Sequence, residues 1–353
     1  MNLKELFEFA SQHRASDLLL TVGLPPMIRI DGDLQAADLP QLTNEEIRRM
    51  VTGILNEKQQ ERYALNHEVD LSLTAAGIGR FRANVYQQRG FMAAAFRLIP
   101  TAIPSAADLN LPPIVTYLAE RTQGLILVTG ATGQGKSTTQ AAMLDHINRL
   151  RRCHIVTIED PIEYIHRHQL SAVDQREVGS DTSSFAQALK SALRQDPDAI
   201  LVGEMRDLET ISTSLTAAET GHLVISTLHT NDSIQSIDRI VDVYPAYQQQ
   251  QIRIQLGFCL VAILSQQLIP RIDMPGRIAA LEILLNNLAV ANIIREGKTF
   301  KAESIMQTHI REGMRTMDMA LGDLYSRGLI SFEEAFRRAK HPRNIEAIKK
   351  AKE

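Results

Sequence analysis

The sequence predicts an α/β protein with two domains, the second of which binds a nucleotide on a parallel sheet. The chain has 353 residues, and a soluble chain of that length divides into roughly two or three compact domains. A glycine-rich loop lies near its middle, and short apolar runs alternate with helical segments after that loop. Alternation of this kind is typical of a parallel sheet with functional groups at the C-terminal ends of its strands.

Residues 130–138 have the sequence Gly-Ala-Thr-Gly-Gln-Gly-Lys-Ser-Thr, which is a complete phosphate-binding loop. An apolar strand at 125–129 precedes it and a helix at 137–150 follows it, as this motif requires. Glycines let backbone N–H groups approach phosphate oxygens, and the helix dipole adds attraction. Lys136 is expected to reach the β- and γ-phosphates of ATP, and the Ser137 hydroxyl to ligate Mg²⁺. The predicted ATP contacts in the loop are Gly130, Ala131, Thr132, Gly133, Gln134, Gly135, Lys136, Ser137 and Thr138.

Composition excludes several other classes of protein. Hydrophobic residues make up 44% of the chain and charged residues 22%, and the net charge of −3 argues against a protein that coats nucleic acid. The two cysteines are too few for a disulfide framework or a Cys₄ metal site. We identify no secretory signal, and the longest apolar run, 257–264, is far shorter than the about 20 residues that span a bilayer. We therefore expect a cytoplasmic protein.

The chain is predicted to divide at a proline-rich linker. Residues 1–98 are interpreted as a small α/β domain that ends in an antiparallel pair, 79–88 and 91–98. Residues 99–113 contain four prolines and form the linker, and residues 114–353 form the ATPase domain. Apolar runs in the second domain predict four parallel strands, at 125–129, 155–158, 199–202 and 223–227. From about residue 233 the pattern favours helices, and 248–267 is interpreted as one packed helix.

Charged and polar groups follow these strands. Hydrolysis of ATP requires a carboxylate that orients a water molecule, and Glu204 and Glu163 are the two candidates, directly or through a water bound to Mg²⁺. His222 and His229 flank the strand at 223–227. They are interpreted as groups that sense the charge of the phosphate, in preference to a metal pair that lacks a third ligand. His166 and His168 fall in a segment interpreted as an exposed loop.

Several motifs resemble those of one family. The segments 160–164 (Asp-Pro-Ile-Glu-Tyr), 175–179 (Gln-Arg-Glu-Val-Gly), 193–198 (Leu-Arg-Gln-Asp-Pro-Asp) and 220–223 (Thr-Gly-His-Leu) occur in the order found in the type II/type IV secretion ATPase superfamily. Within it the chain is similar, over essentially its whole length, to the PilT group of twitching-motility motors, which retract type IV pili. The resemblance implies a PAS-like N-terminal domain, a RecA-like C-terminal domain with a helical C-terminal portion, and a ring of six subunits.

The resemblance also implies roles for particular residues. Glu159–Glu163 corresponds to the Asp box, Val202–Glu204 to an atypical Walker B motif, and Gly221–His229 to the His box. On this basis Glu204, Glu163 and His229 are the expected catalytic groups, and Glu159 and His222 are expected near the nucleotide. Arginines from a neighbouring N-terminal domain complete each site in the family, and the matching positions are Arg80, Arg82 and Arg97.

Two departures bear on the choice among motors. Assembly motors of the superfamily commonly have a longer N-terminal region and a four-cysteine metal site; neither is found here, which favours retraction. The C-terminal signature Ala-Ile-Arg-Asn-Leu-Ile-Arg-Glu of the group appears at 289–296 with Ala291 in place of its first arginine. That change leaves open an accessory paralogue of the PilU type, although Asp196 is more typical of PilT.

The sequence therefore predicts a hexameric, ATP-hydrolysing motor for pilus retraction, located at the inner face of the cytoplasmic membrane. Its expected partners are the other subunits of a homohexamer, an inner-membrane pilus platform protein and a paralogous retraction ATPase. Two rival functions remain. A RecA-like nucleic-acid motor is disfavoured by the net charge, and a non-hydrolysing regulatory subunit is disfavoured because Lys136, Ser137, Glu163 and Glu204 are all present.

Overall fold

The computed structural model describes residues 2–30, 32–100 and 102–352, which form two compact units. The first comprises Met1–Ala102 with Glu163–Ile165, and the second comprises Ile103–Ile162 with His166–Glu353. The change of unit after Ala102 falls inside the segment predicted as a linker, and the exact domain bounds stay a prediction. Within the described ranges, no helix has the length and apolar character that crossing a membrane requires.

The first unit is a six-stranded sheet with three helices. Its strand order is β3-β2-β1-β6-β5-β4, and all described pairings are antiparallel. Three aromatic rings pack together in its core. Phe7 stacks on Phe81 with 3.9 Å between ring centroids and contacts Phe96 edge-on with 5.1 Å between centroids. Its elements are α1 (Leu3–Gln12), β1 (Asp17–Leu20), β2 (Met27–Ile30), β3 (Asp33–Ala36), α2 (Asn44–Thr52), α3 (Glu57–Asn66), β4 (Glu68–Ala75), β5 (Gly79–Gln88) and β6 (Phe91–Ile99).

Each of the three helices begins at a side chain that caps it. Asn2, Thr43 and Asn56 accept hydrogen bonds from the backbone N–H three residues on, and the side chain at that third position bonds back to the cap. Such capping boxes satisfy donors that a helix end otherwise leaves open. The polar residues at these positions therefore determine where the helices start.

The second unit is built on a seven-stranded sheet of order β13-β12-β7-β11-β10-β8-β9. All described neighbours pair in parallel except β12 and β13. Its strands are β7 (Gly124–Thr129), β8 (His154–Glu159), β9 (Ala172–Glu177), β10 (Ala199–Val202), β11 (Leu223–Leu228), β12 (Leu260–Pro270) and β13 (Arg277–Leu285). Strands β7, β10 and β11 are buried along their whole length, as expected for a parallel sheet covered on both faces.

Helices account for most of the rest of the second unit. They are α4 (Ile114–Ala119), α5 (Lys136–Leu150), α6 (Phe185–Ala192), α7 (Leu208–Glu219), α8 (Ser233–Asp242), α9 (Ala246–Cys259), α10 (Leu288–Arg295), α11 (Ala302–Thr308), α12 (Met317–Ser326), α13 (Phe332–Arg338) and α14 (Pro342–Lys352), with two short 3₁₀ helices at Thr299–Lys301 and Ile310–Glu312. Two hydrophobic clusters lie against the sheet, and a third, smaller one gathers α12, α13 and α14.

The prediction of one helix over 248–267 is wrong. Helix α9 ends at Cys259, and β12 begins at Leu260 and pairs with both β7 and β13. The run Leu-Val-Ala-Ile-Leu-Ser is apolar at nearly every position. Periodicity alone cannot distinguish a buried strand from a buried helix in such a run. The hairpin partner β13 was missed for the same reason, and β4 and β9 were not predicted either.

The interpretation of His166 as exposed is also wrong, whereas His168 is exposed. His166 is 8% exposed, and its backbone N–H donates to Gln175 Oε1 at 2.8 Å. Burial lowers the pKa of the His166 imidazole from 6.5 to about 4, although the nearby charge of Asp145 acts in the opposite direction. The imidazole is therefore neutral in the folded protein near pH 7.

Protonation of His166 is expected to make stability depend on pH. Because its folded pKa lies below its unfolded pKa, the stabilisation is fully present above pH 6.5 and is lost as the pH falls towards 4. Linkage puts the loss at about 2 kcal/mol by about pH 5. Urea unfolding of the wild type and of His166→Gln at both ends of this range measures it. The variant should lose less stability on acidification, and equal losses in both proteins would contradict the assignment.

Candidate active site

Strand order brings three polar segments to one edge of the second unit's sheet. Strand β11 lies between β7, which leads into the phosphate-binding loop, and β10, which leads to Glu204. The strands are parallel and in register, so that Leu228 faces Thr129 at the end of β7. His229, the next residue after β11, therefore lies between the loop and Glu204. This convergence at the C-terminal edge is the arrangement expected of open α/β sheets.

The backbone of the loop requires glycine at particular positions. Gly130, Gly133 and Gly135 have φ values of 141°, 79° and 79°, in the region that favours glycine. At Gly130 a Cβ atom would lie 2.5 Å from the Gln266 carbonyl oxygen, and at Gly135 one would lie 2.9 Å from Gln266 Nε2. These two glycines therefore permit both the curvature of the loop and its close approach to β12.

Lys136 opens helix α5 with its ammonium group inside the curve of the loop. Nζ donates to the carbonyl oxygens of Gly130 at 2.8 Å and Ala131 at 3.1 Å. Burial lowers the pKa of Lys136 below its ordinary value, and the negative charge of Glu204 acts in the opposite direction. The side chain is thus held at the position where a phosphate-binding lysine acts.

Glu204 is held ionised by two partners. Its Oε2 accepts from Arg206 Nη2 at 2.8 Å and lies 3.3 Å from His229 Nε2. Burial raises the pKa of this carboxyl, but the hydrogen bond from Arg206 and the interactions with His229 together outweigh burial, so that the pKa lies below its usual value. Near neutral pH Glu204 is therefore a carboxylate that can accept a proton or a hydrogen bond.

His229 connects the carboxylate to the loop. One ring nitrogen, Nε2, faces Glu204, and the other, Nδ1, lies 3.5 Å from Thr132 Oγ1. A change in the position of Thr132, which lies at the tip of the loop, can therefore reach Glu204 through a single side chain. The structure thus brings together Lys136, Thr132, His229 and Glu204, all of which were predicted as site residues.

His222 lies elsewhere. It precedes Leu223, which pairs with Gly124 at the start of β7, and its carbonyl oxygen accepts from the Gly124 N–H at 3.0 Å. His222 is therefore at the N-terminal edge of the parallel strands, whereas the loop follows their C-terminal ends. The structure does not bring His222 to the phosphate-binding loop of its own chain, because a full strand separates the two edges.

The two predicted acids of the Asp box differ in environment. Glu159 ends β8, is 8% exposed, and accepts from Thr157 Oγ1 at 2.7 Å and Gln175 Nε2 at 3.1 Å. It pairs across the sheet with Glu177, which is also buried. Glu163 is exposed and belongs to the segment that groups with the first unit. The proposed roles of Glu159 and Glu163 at the nucleotide stay predictions.

The arginines of the first unit share one face of its sheet. Arg82 lies directly opposite Arg97 in the β5–β6 pair, and Arg80 is two positions before Arg82 on the same strand. Arg97 Nε donates to Asp17 Oδ1 at 2.8 Å, while its own side chain remains 70% exposed. Arg97 is thus oriented by Asp17 but remains accessible, and the role of these arginines in a neighbour's site stays a prediction.

Two residues that contact the loop or Glu204 were not among the predicted site residues. Arg206 donates to Glu204, and Gln266 contacts the loop from β12. Arg206 is only two positions from Glu204 in the sequence, so that a basic residue beside the expected Walker B acid was an available signal. Gln266 offered a weaker signal, a polar Gln-Gln pair inside an apolar run.

Comparison with known proteins identifies the family. The family model described as type II/IV secretion system protein matches residues 110–337. The chain belongs to this family. A protein of Pseudomonas aeruginosa named type IV pilus retraction ATPase PilT is 47% identical over 345 residues, covering 98% of this chain and 100% of that protein. PilU, a type IV pilus ATPase of the same organism, is 42% identical over 96% of this chain and 89% of its own length.

A solved structure resembles the whole chain. The crystal structure of a pilus retraction motor, PilT, with bound ADP matches with a TM-score of 0.91 and 49% sequence identity, covering 98% of this chain and 99% of that one. In this chain the first unit is followed by the second unit, which holds most of the residues matched by the secretion family model. The predicted fold class, an α/β chain with those two parts, is therefore confirmed.

Proposed function

We propose that this chain is an ATP-hydrolysing motor subunit that powers retraction of type IV pili. The observation that carries the proposal is the set of contacts by which His229 links Thr132 of the phosphate-binding loop to the ionised carboxylate of Glu204. A loop that binds phosphate and a carboxylate that orients water are the two parts that ATP hydrolysis needs. Full-length similarity to a pilus retraction ATPase supports the biological role.

In this proposal Lys136 binds the β- and γ-phosphates, with the backbone N–H groups of the loop. Mg²⁺ neutralises charge on the phosphates when it is bound. The described residues contain no group of three ligating His, Cys, Asp or Glu side chains. This fits a magnesium ion held chiefly by phosphate oxygens and the exposed Ser137 hydroxyl, because Mg²⁺ usually takes few protein ligands in such sites. Glu163 is proposed to contribute through a metal-bound water.

Glu204 is proposed to orient and deprotonate the attacking water. Its lowered pKa keeps it ionised, and Arg206 and His229 hold its Oε2 atom, which leaves Oε1 to face a water molecule. His229 positions the carboxylate and transmits the state of Thr132 to it. Arg206, whose side chain is 67% exposed, is proposed as a positioning residue.

We expect Glu204→Gln to bind ATP as the wild type does and to hydrolyse it about 10²-fold more slowly, because the amide keeps the shape but cannot accept a proton. Nucleotide titration and steady-state phosphate release measure the two properties. Glu209→Gln is the matched control, since Glu209 is an exposed acid at the start of α7 that pairs with Lys190. Wild-type turnover in Glu204→Gln would transfer the role to Glu163.

The assembly around the motor is proposed from the family. We propose a homohexamer that works at the inner face of the cytoplasmic membrane, against a pilus platform protein and beside a paralogous retraction ATPase. The alternative of a PilU-type accessory subunit rests on Ala291, which lies on α10 beside Gly257 in place of the signature arginine. Expression in a strain that lacks both motors distinguishes an independent motor from an accessory subunit. An independent retraction motor restores twitching with Ala291 unchanged, whereas an accessory subunit does not. Ala291→Arg then tests whether the missing signature arginine causes that difference.

A deletion strain tests the proposed function. Loss of a retraction motor leaves surface pili abundant while twitching stops, and complementation restores movement. Loss of pili from the surface, or unchanged twitching, would contradict the proposal. A nucleic-acid motor makes a different prediction, since its ATPase rate rises when DNA is added and falls again with salt; an unchanged rate with DNA excludes that rival.

A further inference from the structure

The side chain of Gln266 joins two parts of the phosphate-binding machinery. It lies on β12, is 2% exposed, and donates from Nε2 to the Gln134 carbonyl oxygen at 2.7 Å. Its Oε1 accepts from the Thr139 hydroxyl, on the first turn of α5, also at 2.7 Å. The Gln134 carbonyl oxygen can only accept a hydrogen bond, so the Gln266 side-chain amide must turn its Nε2 atom towards that oxygen.

The same strand contacts the loop at further points. The Leu268 N–H donates to Gln134 Oε1 at 2.6 Å. The carbonyl oxygen of Gln266 packs against Gly130, at the start of the loop, closely enough to exclude any Cβ there. Strand β12 therefore holds the beginning of the loop, its centre at Gln134, and the helix turn that follows.

We infer that Gln266 is a positioning residue that keeps the phosphate-binding loop in its nucleotide-competent conformation. The inference rests on the proposed function of the loop. Three glycines make the loop costly to order, and an apparent dissociation constant rises in inverse proportion to the fraction of molecules in the competent conformation. A buried amide with both of its ends hydrogen-bonded to the loop and to α5 offsets that cost.

A purely structural role for Gln266 makes different predictions. A core residue that only filled space would be replaceable by an apolar side chain, with an effect on unfolding and none on affinity. The side-chain hydrogen bonds of Gln266 argue against a space-filling role, because one goes to the loop and the other to the first turn of α5. Affinity for nucleotide is therefore the property that distinguishes the two roles.

The test measures binding of a fluorescent ADP analogue to Gln266→Ala. We expect its dissociation constant to rise about tenfold, the result of reducing the competent fraction to about one tenth. In ATP hydrolysis the loss should appear in KM more than in kcat, because Glu204 and His229 are untouched. The matched control is Gln267→Ala, the next residue on β12, which should bind as the wild type does. Equal affinity in both variants, at equal thermal stability, would overturn the inference.

A second variant keeps the test decisive if Gln266→Ala does not fold. Thr139→Val is nearly isosteric and removes only the hydroxyl that Gln266 Oε1 accepts from. We expect about a threefold rise in the dissociation constant of this single variant. Where Gln266→Ala does fold, the double variant should show little further rise beyond that of Gln266→Ala alone, since contacts in one network are not additive. Unchanged affinity in Thr139→Val would overturn the inference. The ADP readout does not depend on hydrolysis or pili, so failure of the proposed function is recognised separately.

Discussion

Lys136→Ala should weaken ATP binding by about 10³-fold or more, because a buried cation that contacts two phosphates acts where water screens it little. The Lys136 ammonium lies inside the loop, held by the carbonyl oxygens of Gly130 and Ala131. No other residue of 130–138 carries a positive charge. Calorimetric titration with ATP measures the effect, and hydrolysis should be lost with binding.

The control for this variant is Lys190→Ala. Lys190 lies in the last turn of α6, is exposed, and pairs with Glu209 on the surface of the same unit. Because surface ion pairs contribute little to stability, Lys190→Ala should keep its fold. It should therefore bind ATP as the wild type does. Lys136→Arg is a second comparison, because it keeps the charge but not the compact ammonium that fits between the loop carbonyls. Tight ATP binding by Lys136→Ala would contradict the assignment of residues 130–138 as the nucleotide-binding loop.

Local patterns predicted the part of the site that is continuous in sequence. The phosphate-binding loop, its strand and its helix depend on neighbouring residues, so that a single segment contained all the information. The approach of His229 to Glu204 was also predictable in outline, because the ends of parallel strands meet at one edge. His222 shows the limit of that reasoning. Its motif lies within a few residues of His229, yet one strand length separates the two edges of the sheet.

The contribution of β12 could not be predicted in the same way. Gln266 meets Gln134 and Thr139 only because β12 pairs with β7, and the apolar run at 260–264 fits a helix as well as a strand. A helix at 260–264 would leave no strand beside β7 to hold Gln266 against the loop. The capping boxes at Asn2, Thr43 and Asn56 show the opposite case, since each is contained in four consecutive residues.

The arginines of the first unit give the second large expected effect. If Arg82 and Arg97 act on a neighbouring subunit's ATP, Arg82→Ala and Arg97→Ala should each bind nucleotide as isolated protomers and hydrolyse it about 10³-fold more slowly, the contribution typical of an arginine supplied in trans. The exposed Arg62 of α3 provides the matched control, Arg62→Ala, which should hydrolyse ATP normally.

Mixed assemblies decide whether the arginine acts between subunits. An Arg82→Ala subunit supplies an intact phosphate-binding loop, and a Lys136→Ala subunit supplies an intact arginine, so that mixing two inactive proteins should restore measurable hydrolysis. Asp17→Asn adds a graded case, because it releases Arg97 from the carboxylate that orients it while leaving the guanidinium in place. Its rate should fall between those of the wild type and Arg97→Ala. A site shared between two subunits must regain activity when each subunit supplies the part that the other lacks. Mixtures that stay inactive at every ratio would therefore indicate that these arginines only form a solvated face of the sheet.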